Sequence, residues 1–470
     1  FETLTHSRMH VYVMSPRRTA RFEGVSFLGT GYSPAVRLLP SKMPERTQDY
    51  FFSGQITHSR RYDMAAAIER MQSNERLDGT YLPQESFTAG LEPRDYINQM
   101  CSAKVAFCPS GPETPDSFRL FEALESGCIP IADTRVQSSR DNSQFGDDYW
   151  QFFFGEIVPF PVIQNYNDLE GYTLETVANW DELSIKVGQW WNRKKYEMAT
   201  KLSNIVKDLS GATPIKTEDV TVLVATSPVA SHPDTAILRE TLTNTLKHFT
   251  KPTQTIIMAD GVRKDFMDYN MNYQEYLRKV LWAARTCLML VLTHDKHSHQ
   301  AKMTREALEY VNTKTILFVE HDAPLVPDQE FDFELLTQPI LHGEAHVIRF
   351  HHEAIVLPDH MHMMLGEPTG VLGITMWKTR QWSQRPHLAS TEFYKAILIN
   401  YFEENQITMI EDVMHGVVDN AVVEGGEMAW YQFRLWMFYP GDGTNIKRSY
   451  HLDARGDDNK VINDETVVPL

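Results

Sequence analysis

The chain has 470 residues, 42% of them hydrophobic and 23% charged, with a net charge of −17 at pH 7. That length is enough for more than one domain, and the composition is that of a globular protein able to bury real cores. The acidic balance argues against a protein whose main work is gripping nucleic acid phosphates, and no apolar run reaches membrane-spanning length.

The first thirty residues lack a signal-peptide pattern. Cys101, Cys108, Cys128 and Cys287 have neither zinc-ligand spacing nor the density of a disulfide framework, so a reducing, cytoplasmic setting is expected. The sequence starts at Phe1 rather than at a methionine, which leaves open that it belongs to a longer protein.

Residues 1–44 offer one short strand, 10–14, among Gly and Pro punctuation. Order begins at Asp49-Tyr50-Phe51-Phe52-Ser53-Gly54, a strand and glycine turn, with Arg60 and Arg61 just beyond and helical sequence over 64–71. A strand over 104–109 runs into the Gly- and Pro-rich loop 110–115. Asp116 or Ser117 can then cap a helix that runs to Glu125 and is closed by Gly127. On that helix Phe118, Phe121 and Leu124 share one face, while Arg119 and Glu122 share another. A strand over 128–132 completes a βαβ unit whose helix amino terminus can receive a phosphate. Aromatic residues crowd 147–160 and read as core packing in preference to a sugar-stacking platform. Helical sequence over 181–209 leads to a small, polar, Pro-broken segment, 211–219, expected to be a linker between domains 1–210 and 220–470.

The second half opens with a strand over 220–226 and a loop over 227–234, after which Asp234 caps a helix with Leu238, Leu242, Leu246 and Phe249 on one stripe. A strand over 254–258 ends near Asp260 and Gly261, where an acidic residue suits recognition of a nucleoside. A strand over 287–293 and a helix over 300–310 follow, with Met303, Ala307 and Val311 inward. The next run, from Thr315, is β-branched and aromatic and stops abruptly at Glu320-His321-Asp322. Hard oxygen ligands at the carboxyl end of a buried parallel strand suit Mg²⁺ or Mn²⁺, and such an ion suits a diphosphate; a solvated acidic turn is the plainer alternative. Alternating strands and helices imply a mostly parallel sheet with right-handed crossovers.

The stretch 49–133, above all Ala106-Phe107-Cys108-Pro109-Ser110-Gly111 followed by residues 116–131, resembles the exostosin-type glycosyltransferases, specifically the nucleotide-binding half of their GT-B fold. The resemblance implies that Arg119 meets a sugar-nucleotide diphosphate and Glu122 the ribose or sugar; a surface ion pair between them is the alternative. A GT-B enzyme binds its acceptor with a preceding half, for which residues 1–48 are too few.

Residues 220–456 resemble a GT-A glycosyltransferase of the large, mostly inverting family two. The likeness implies that Thr226, Ser227 and Pro228 form the first nucleotide-binding loop, with Asp260 and Gly261 at the base or ribose. Glu320-His321-Asp322 takes the place of the DxD metal motif; with Glu in the first position, Asp322 is the stronger ligand. Residues 368–374 and Trp377 stand for the acceptor-side loop. Ile410-Glu411-Asp412-Val413 stands for the base-bearing acid pair, with Asp412 as general base, and His451 completes the metal site.

The expected architecture is therefore α/β with two Rossmann-like modules, a GT-B-type half followed by a GT-A-type domain. The expected activity is inverting, divalent-metal-dependent transfer from a nucleotide sugar, a UDP-sugar, to a glycan or other hydroxyl acceptor. Two alternatives stand beside it. One is a non-catalytic carbohydrate-binding scaffold built from degenerate transferase folds, and the other is a viral-type transferase acting on nucleic acid bases, against which the acidic balance weighs. His294, His297, His299, His346, His351, His352, His360 and His362 match no ligand motif and read as scattered. Trp377 and Trp382 are core or sugar-stacking residues, and Lys447, Arg448 and Arg455 are phosphate contacts or a solvated basic turn.

Overall fold

β-Branched and aromatic runs punctuated by Gly and Pro become strands in both halves of the chain. The computed structural model describes residues 11–14, 25–73, 75–86, 89–137, 145–210, 219–285, 289–352, 355–439 and 447–452, with backbone only for 11–14, 25–28 and 206–210. The expected linker lies outside the described residues except for Asp219, as do Cys287 and Arg455. Two compact units result: Phe1–Ala212 with Leu281–Arg285, and Thr213–Val280 with Thr286–Leu470.

In the first unit, β1 (Val11–Met14) pairs in parallel with β2 (Val25–Leu28). A separate sheet holds β3 (Gln48–Gln55), β4 (Gly79–Gln84), β5 (Ala103–Cys108), β6 (Ile129–Asp133) and β7 (Val162–Ile163), all parallel, in the order β4-β3-β5-β6-β7. Successive side chains on β3 go to opposite faces. Tyr50 and Phe52 enter a core with Met64, Ile68 and Phe107, while Phe51 enters another with Leu120, Phe121 and Trp191. Burial on both faces is why these strands read as unbroken apolar runs. β4 escapes periodicity because Pro83 interrupts it; at the sheet edge its missing N–H is tolerated. The aromatic run is core: Tyr149, Trp150 and Phe153 are buried with Trp190 and Trp191, and Tyr149 meets Trp150 edge to face at 5.0 Å.

The second unit contains β8 (Val220–Thr226), β9 (Gln254–Ala259), β10 (Met289–Thr293), β11 (Thr315–Glu320), β12 (Val347–Phe350), β13 (Met364–Val371), β14 (Ile374–Thr379), β15 (His387–Ser390) and β16 (Leu435–Phe438). They form one sheet in the order β10-β9-β8-β11-β15-β12-β16-β14-β13. β10, β9, β8 and β11 are parallel, as expected. Beyond β11 the sheet is mixed, which corrects the expectation of a mostly parallel one. β15 runs antiparallel between β11 and β12, and β14 runs antiparallel to both β13 and β16. The reversal starts at a hairpin whose two turn residues, Leu372 and Gly373, both have positive φ (47° and 90°), the twist that a tight β-hairpin needs. None of the described helices is long and apolar enough to cross a membrane.

Candidate active site

β11 keeps Thr315 through Val319 buried and emerges at Glu320. Parallel pairing sets Glu320 opposite Ala225 of β8, and the His321 amide donates to the Ala225 carbonyl at 2.8 Å, so the turn leaving the strand is tied to the sheet. Residues 447–452 then lie antiparallel along this turn. Leu452 N donates to Asp322 O (2.8 Å), Tyr450 N to Pro324 O (3.2 Å) and Val326 N to Arg448 O (3.1 Å). That pairing carries His451 to the strand end, where Glu320 and His451 line one cavity of about 360 Å³ with Arg349, His351, Arg385 and Glu411.

Glutamine amides link the acids of the cavity. Gln300 Nε2 donates to Glu320 Oε1 (2.6 Å), Gln384 Nε2 to Gln300 Oε1 (2.8 Å), and the Gln384 backbone N–H to Glu411 Oε2 (3.0 Å). Burial, and then the charges of Asp322 and Glu411, push the Glu320 carboxyl up to about 7 against the Gln300 hydrogen bond and Arg385. Such crowding of oxygen donors is what a divalent cation relieves. Mg²⁺ and its analogues commonly take one or two carboxylates and leave the remaining positions to substrate phosphates. Glu320, which lines the cavity, fits that role; Asp322 acts on it through its charge and is not among the lining residues. Among the described residues no group of three His, Cys, Asp or Glu side chains is placed to hold a metal ion. His451 faces the Arg385 guanidinium, Nη1 against Nε2, so its place as a third ligand is not formed in this arrangement.

The histidines are less scattered than their spacing suggests. His351, His352 and His360 line the same cavity as His451. Burial and the Arg349 charge hold His351 down to about 4. Arg349 is itself buried and donates to Gln381 Oε1 at 2.7 Å; burial lowers it to about 10, opposed by Glu411 and reinforced by Arg385. No motif announces this grouping, because the residues come from β12 and three separate connections.

The acid pair opens the helix Ile410–Phe433, whose amino-terminal dipole favours both charges. Glu411 lines the cavity and is held by the Gln384 amide. Asp412 is exposed and accepts no hydrogen bond from the described residues; burial and the His297 charge lower the nearby His299, which Asp260 and Asp412 only partly oppose.

The expected nucleotide loop has a different division of labour. Thr226 is buried with its hydroxyl on Tyr276 OH (2.9 Å), whereas Ser227 and Pro228 are partly exposed at the end of β8. Asp260, expected at the base or ribose, is held within the protein by its neighbours. Its buried carboxylate accepts the amides of Gly261 (2.8 Å), Ser298 (2.7 Å) and His299 (3.2 Å), with His297 Nδ1 at 2.7 Å, so it organises the loop after β10. Gly261 is required by that loop, since a Cβ there would lie 2.2 Å from the Lys296 carbonyl carbon. Replacing Asp260 by alanine should therefore destabilise the fold by roughly 3 kcal/mol, as buried donors lose a charged acceptor. Chemical denaturation measures this, and an unchanged midpoint would remove Asp260 from that role. The two tryptophans are core residues: Trp382 is 2% exposed, and Trp377 donates to Gly366 O at 2.9 Å.

In the first unit, Arg119 and Glu122 part company on the helix Phe118–Glu125. Glu122 is buried and accepts from Tyr96 OH (2.7 Å) and the Ser33 amide (3.3 Å), so it forms neither the surface ion pair nor an open sugar contact. Arg119 Nη2 donates to Ser53 O at 2.5 Å with the guanidinium 4.5 Å from the Phe52 ring, in the space that a Cβ on Gly54 would claim.

No known protein family profile matches the chain, and no curated protein is significantly similar. Among solved structures it is similar to S. aureus TarS 1-349, at 14% identity and a TM-score of 0.30 over 49% of this chain and 60% of that one. Mycobacterium tuberculosis glucosyl-3-phosphoglycerate synthase, in complex with Mn²⁺, UDP-glucose and phosphoglyceric acid, gives 10% identity and 0.27 over 46% and 68%. A Pyrobaculum calidifontis mannosyltransferase with GDP-Man and Mn²⁺ gives 12% and 0.29 over 55% and 66%. The chain spans less than two thirds of the TarS structures it matches. Superpositions this loose carry no argument about function, which has to come from the site.

Proposed function

We propose that the second unit is a divalent-metal-dependent, inverting glycosyltransferase of GT-A type, taking its sugar from a nucleotide-sugar donor such as a UDP-sugar and passing it to the hydroxyl of a glycan or other acceptor. The observation that carries this reading is the acid cluster at the end of β11. Glu320 is pushed towards neutrality by burial and then by Asp322 and Glu411, beside a cavity at the carboxyl end of the parallel strands, where open α/β sheets bind ligands.

Ser227 and Pro228, at the end of β8, border the same edge of the sheet and suit the nucleotide. Asp322 and Glu320 would hold Mn²⁺ or Mg²⁺, with His451 as a further ligand once it leaves Arg385. A bound ion of this kind supplies Lewis-acid stabilisation of the diphosphate as the sugar departs. Arg385, which lines the cavity, offers a guanidinium to the same leaving charge. Asp412, exposed at the start of its helix, is assigned as base, the role the likeness implies. Glu411 lines the cavity and accepts the Gln384 amide on one of its two oxygens, which makes it the alternative base.

The test is release of nucleoside diphosphate from a panel of sugar nucleotides with Mn²⁺. One donor should be consumed, and Asp322→Ala should reduce its turnover at least about a hundredfold, the loss of several kcal/mol of charge stabilisation. Failure of every donor, or full turnover in the variant, would overturn the assignment.

A further inference from the structure

Arg349 in the second unit is 5% exposed, yet it lines the cavity at the end of β11. Its Nη1 donates to Gln381 Oε1 at 2.7 Å, its Nη2 meets only the weak acceptor Met437 Sδ at 3.8 Å, and its Nε is buried without a partner. No carboxylate of the described residues pairs with it. Glu411 attracts it through its charge while accepting the Gln384 amide, and Arg385 repels it. Even lowered to about 10 by burial, the guanidinium stays charged at neutral pH. A buried charge of this kind is costly unless a counter-ion completes it.

Sheet register gives the place of that counter-ion. His387 of β15 stands opposite Phe318 of β11 on one side and opposite Arg349 of β12 on the other. Side chains directly opposite one another share a face, and so do residues two apart on one strand. Arg349 therefore projects from the same face as Glu320. β12 runs in the direction of β11, since each is antiparallel to β15, so their carboxyl ends lie at one edge. Arg349 is two strands, roughly 10 Å, across the sheet from the acids of β11. Ser227 and Pro228, assigned to the nucleotide, leave β8 on the opposite side of β11. A donor whose diphosphate lies between β8 and β11 leaves Arg349 to whatever enters from β12.

We propose that this end of the cavity binds an oxyanion of the acceptor, a carboxylate or a phosphate ester, through the guanidinium fork of Arg349, and that the acceptor is therefore an acidic or phosphorylated sugar. Paired N–H groups of a guanidinium match two oxygens of either anion. His351, held down to about 4 by burial and the Arg349 charge, is neutral and adds no attraction of its own. The net charge of −17 works against non-specific anion binding, so a local cation has to supply the recognition. The acceptor role rests on the transfer activity proposed above; the oxyanion site rests on the geometry alone.

Thermal melting of the full chain in EDTA, with glucuronate, glucose 6-phosphate or glucose, tests the site without metal or donor. One or both acidic sugars should raise the melting midpoint with the concentration dependence of a ligand that binds the folded chain, and glucose should not. A response to glucuronate alone assigns the carboxylate, and a response to glucose 6-phosphate alone assigns the phosphate. Arg349→Met should weaken the apparent affinity at least tenfold. Arg349→Lys keeps the charge without the fork, should weaken it severalfold, and carries the decision if the methionine variant does not fold. Equal midpoints with all three sugars, or parental affinity in the folded variants, overturns the proposal. In the transfer assay Arg349→Lys should raise the acceptor KM severalfold and not the donor KM. A rise in donor KM instead would put the guanidinium on the diphosphate and overturn the assignment to the acceptor. An anion response in a chain that consumes no donor overturns the acceptor role and leaves the oxyanion site standing.

Discussion

Asp412→Asn is expected to bind donor as well as the parent chain does and to transfer sugar roughly a hundredfold to ten-thousandfold more slowly, the range that a positioned general base contributes. Asparagine keeps the size of the side chain and removes its basicity. Because Asp412 is exposed and accepts no hydrogen bond from the described residues, the substitution should cost no more than about 1 kcal/mol of stability, the contribution of its charge at the helix amino terminus. Glu411→Gln is the necessary companion. It disturbs the bond to the Gln384 amide and should raise the acceptor KM more than it lowers kcat. Donor affinity by calorimetry and transfer rate at saturating acceptor separate the cases. If Glu411→Gln abolishes transfer while Asp412→Asn turns over normally, the base is Glu411 and the roles of the two acids are exchanged.

Removing the charge of Glu320 should have a large, pH-dependent effect on stability. Its carboxyl is raised from 4.5 to about 7, first by burial, then by Asp322 and Glu411. Between those values the folded chain keeps a proton that the unfolded chain has released. The contribution is therefore complete below about pH 4.5 and is lost as the pH rises through 7. At pH 8 the folded protein holds an unfavourable buried charge, which costs on the order of 3 kcal/mol, since each pH unit between the two values contributes about 1.4 kcal/mol. Glu320→Gln lacks that loss. Without metal, the variant should melt above the parent at pH 8, and the difference should close towards pH 5. Saturating Mn²⁺ should reverse the order at pH 8, because ligation favours the ionised form and binds only the folded chain. Melting curves that stay parallel from pH 5 to 8, with no response to Mn²⁺, would falsify the view of Glu320 as a strained metal ligand.

Much of the architecture was legible in local pattern. The strands β3, β5, β6, β8, β9 and β11 lie where unbroken apolar runs end in turn residues, and the helix after β5 closes at Gly127, whose φ is 67°. The carboxyl end of β11 could be singled out because its polar residues follow a fully apolar run. The mixed half of the second sheet was not legible, since β12, β15 and β16 are four residues each and too short for a periodicity to declare direction.

Side-chain partners were the least legible. Arg119 and Glu122 share a helix face by spacing, yet one turns to the Ser53 carbonyl and the other to Tyr96, because each finds a tertiary partner closer than its neighbour on the helix. Asp260 was read correctly as a strand-end acid, but the loop carrying Ser298 and His299 determines what its carboxylate does. In the first unit Arg61, Ser110 and Arg119 could be picked out singly, but the segments that follow β3 and β5 are brought together only because those strands are neighbours in the sheet.

By itself the sequence determined the class of each half, α/β, and the places where buried strands stop at polar residues, because burial and turn formation are written in side-chain periodicity and in Gly and Pro. Tertiary structure alone decided which acids crowd together, which histidines share a cavity and which arginines lack a counter-ion. Those properties follow from distances between segments remote in the chain, and Coulomb and hydrogen-bond energies depend on those distances, not on separation along the backbone.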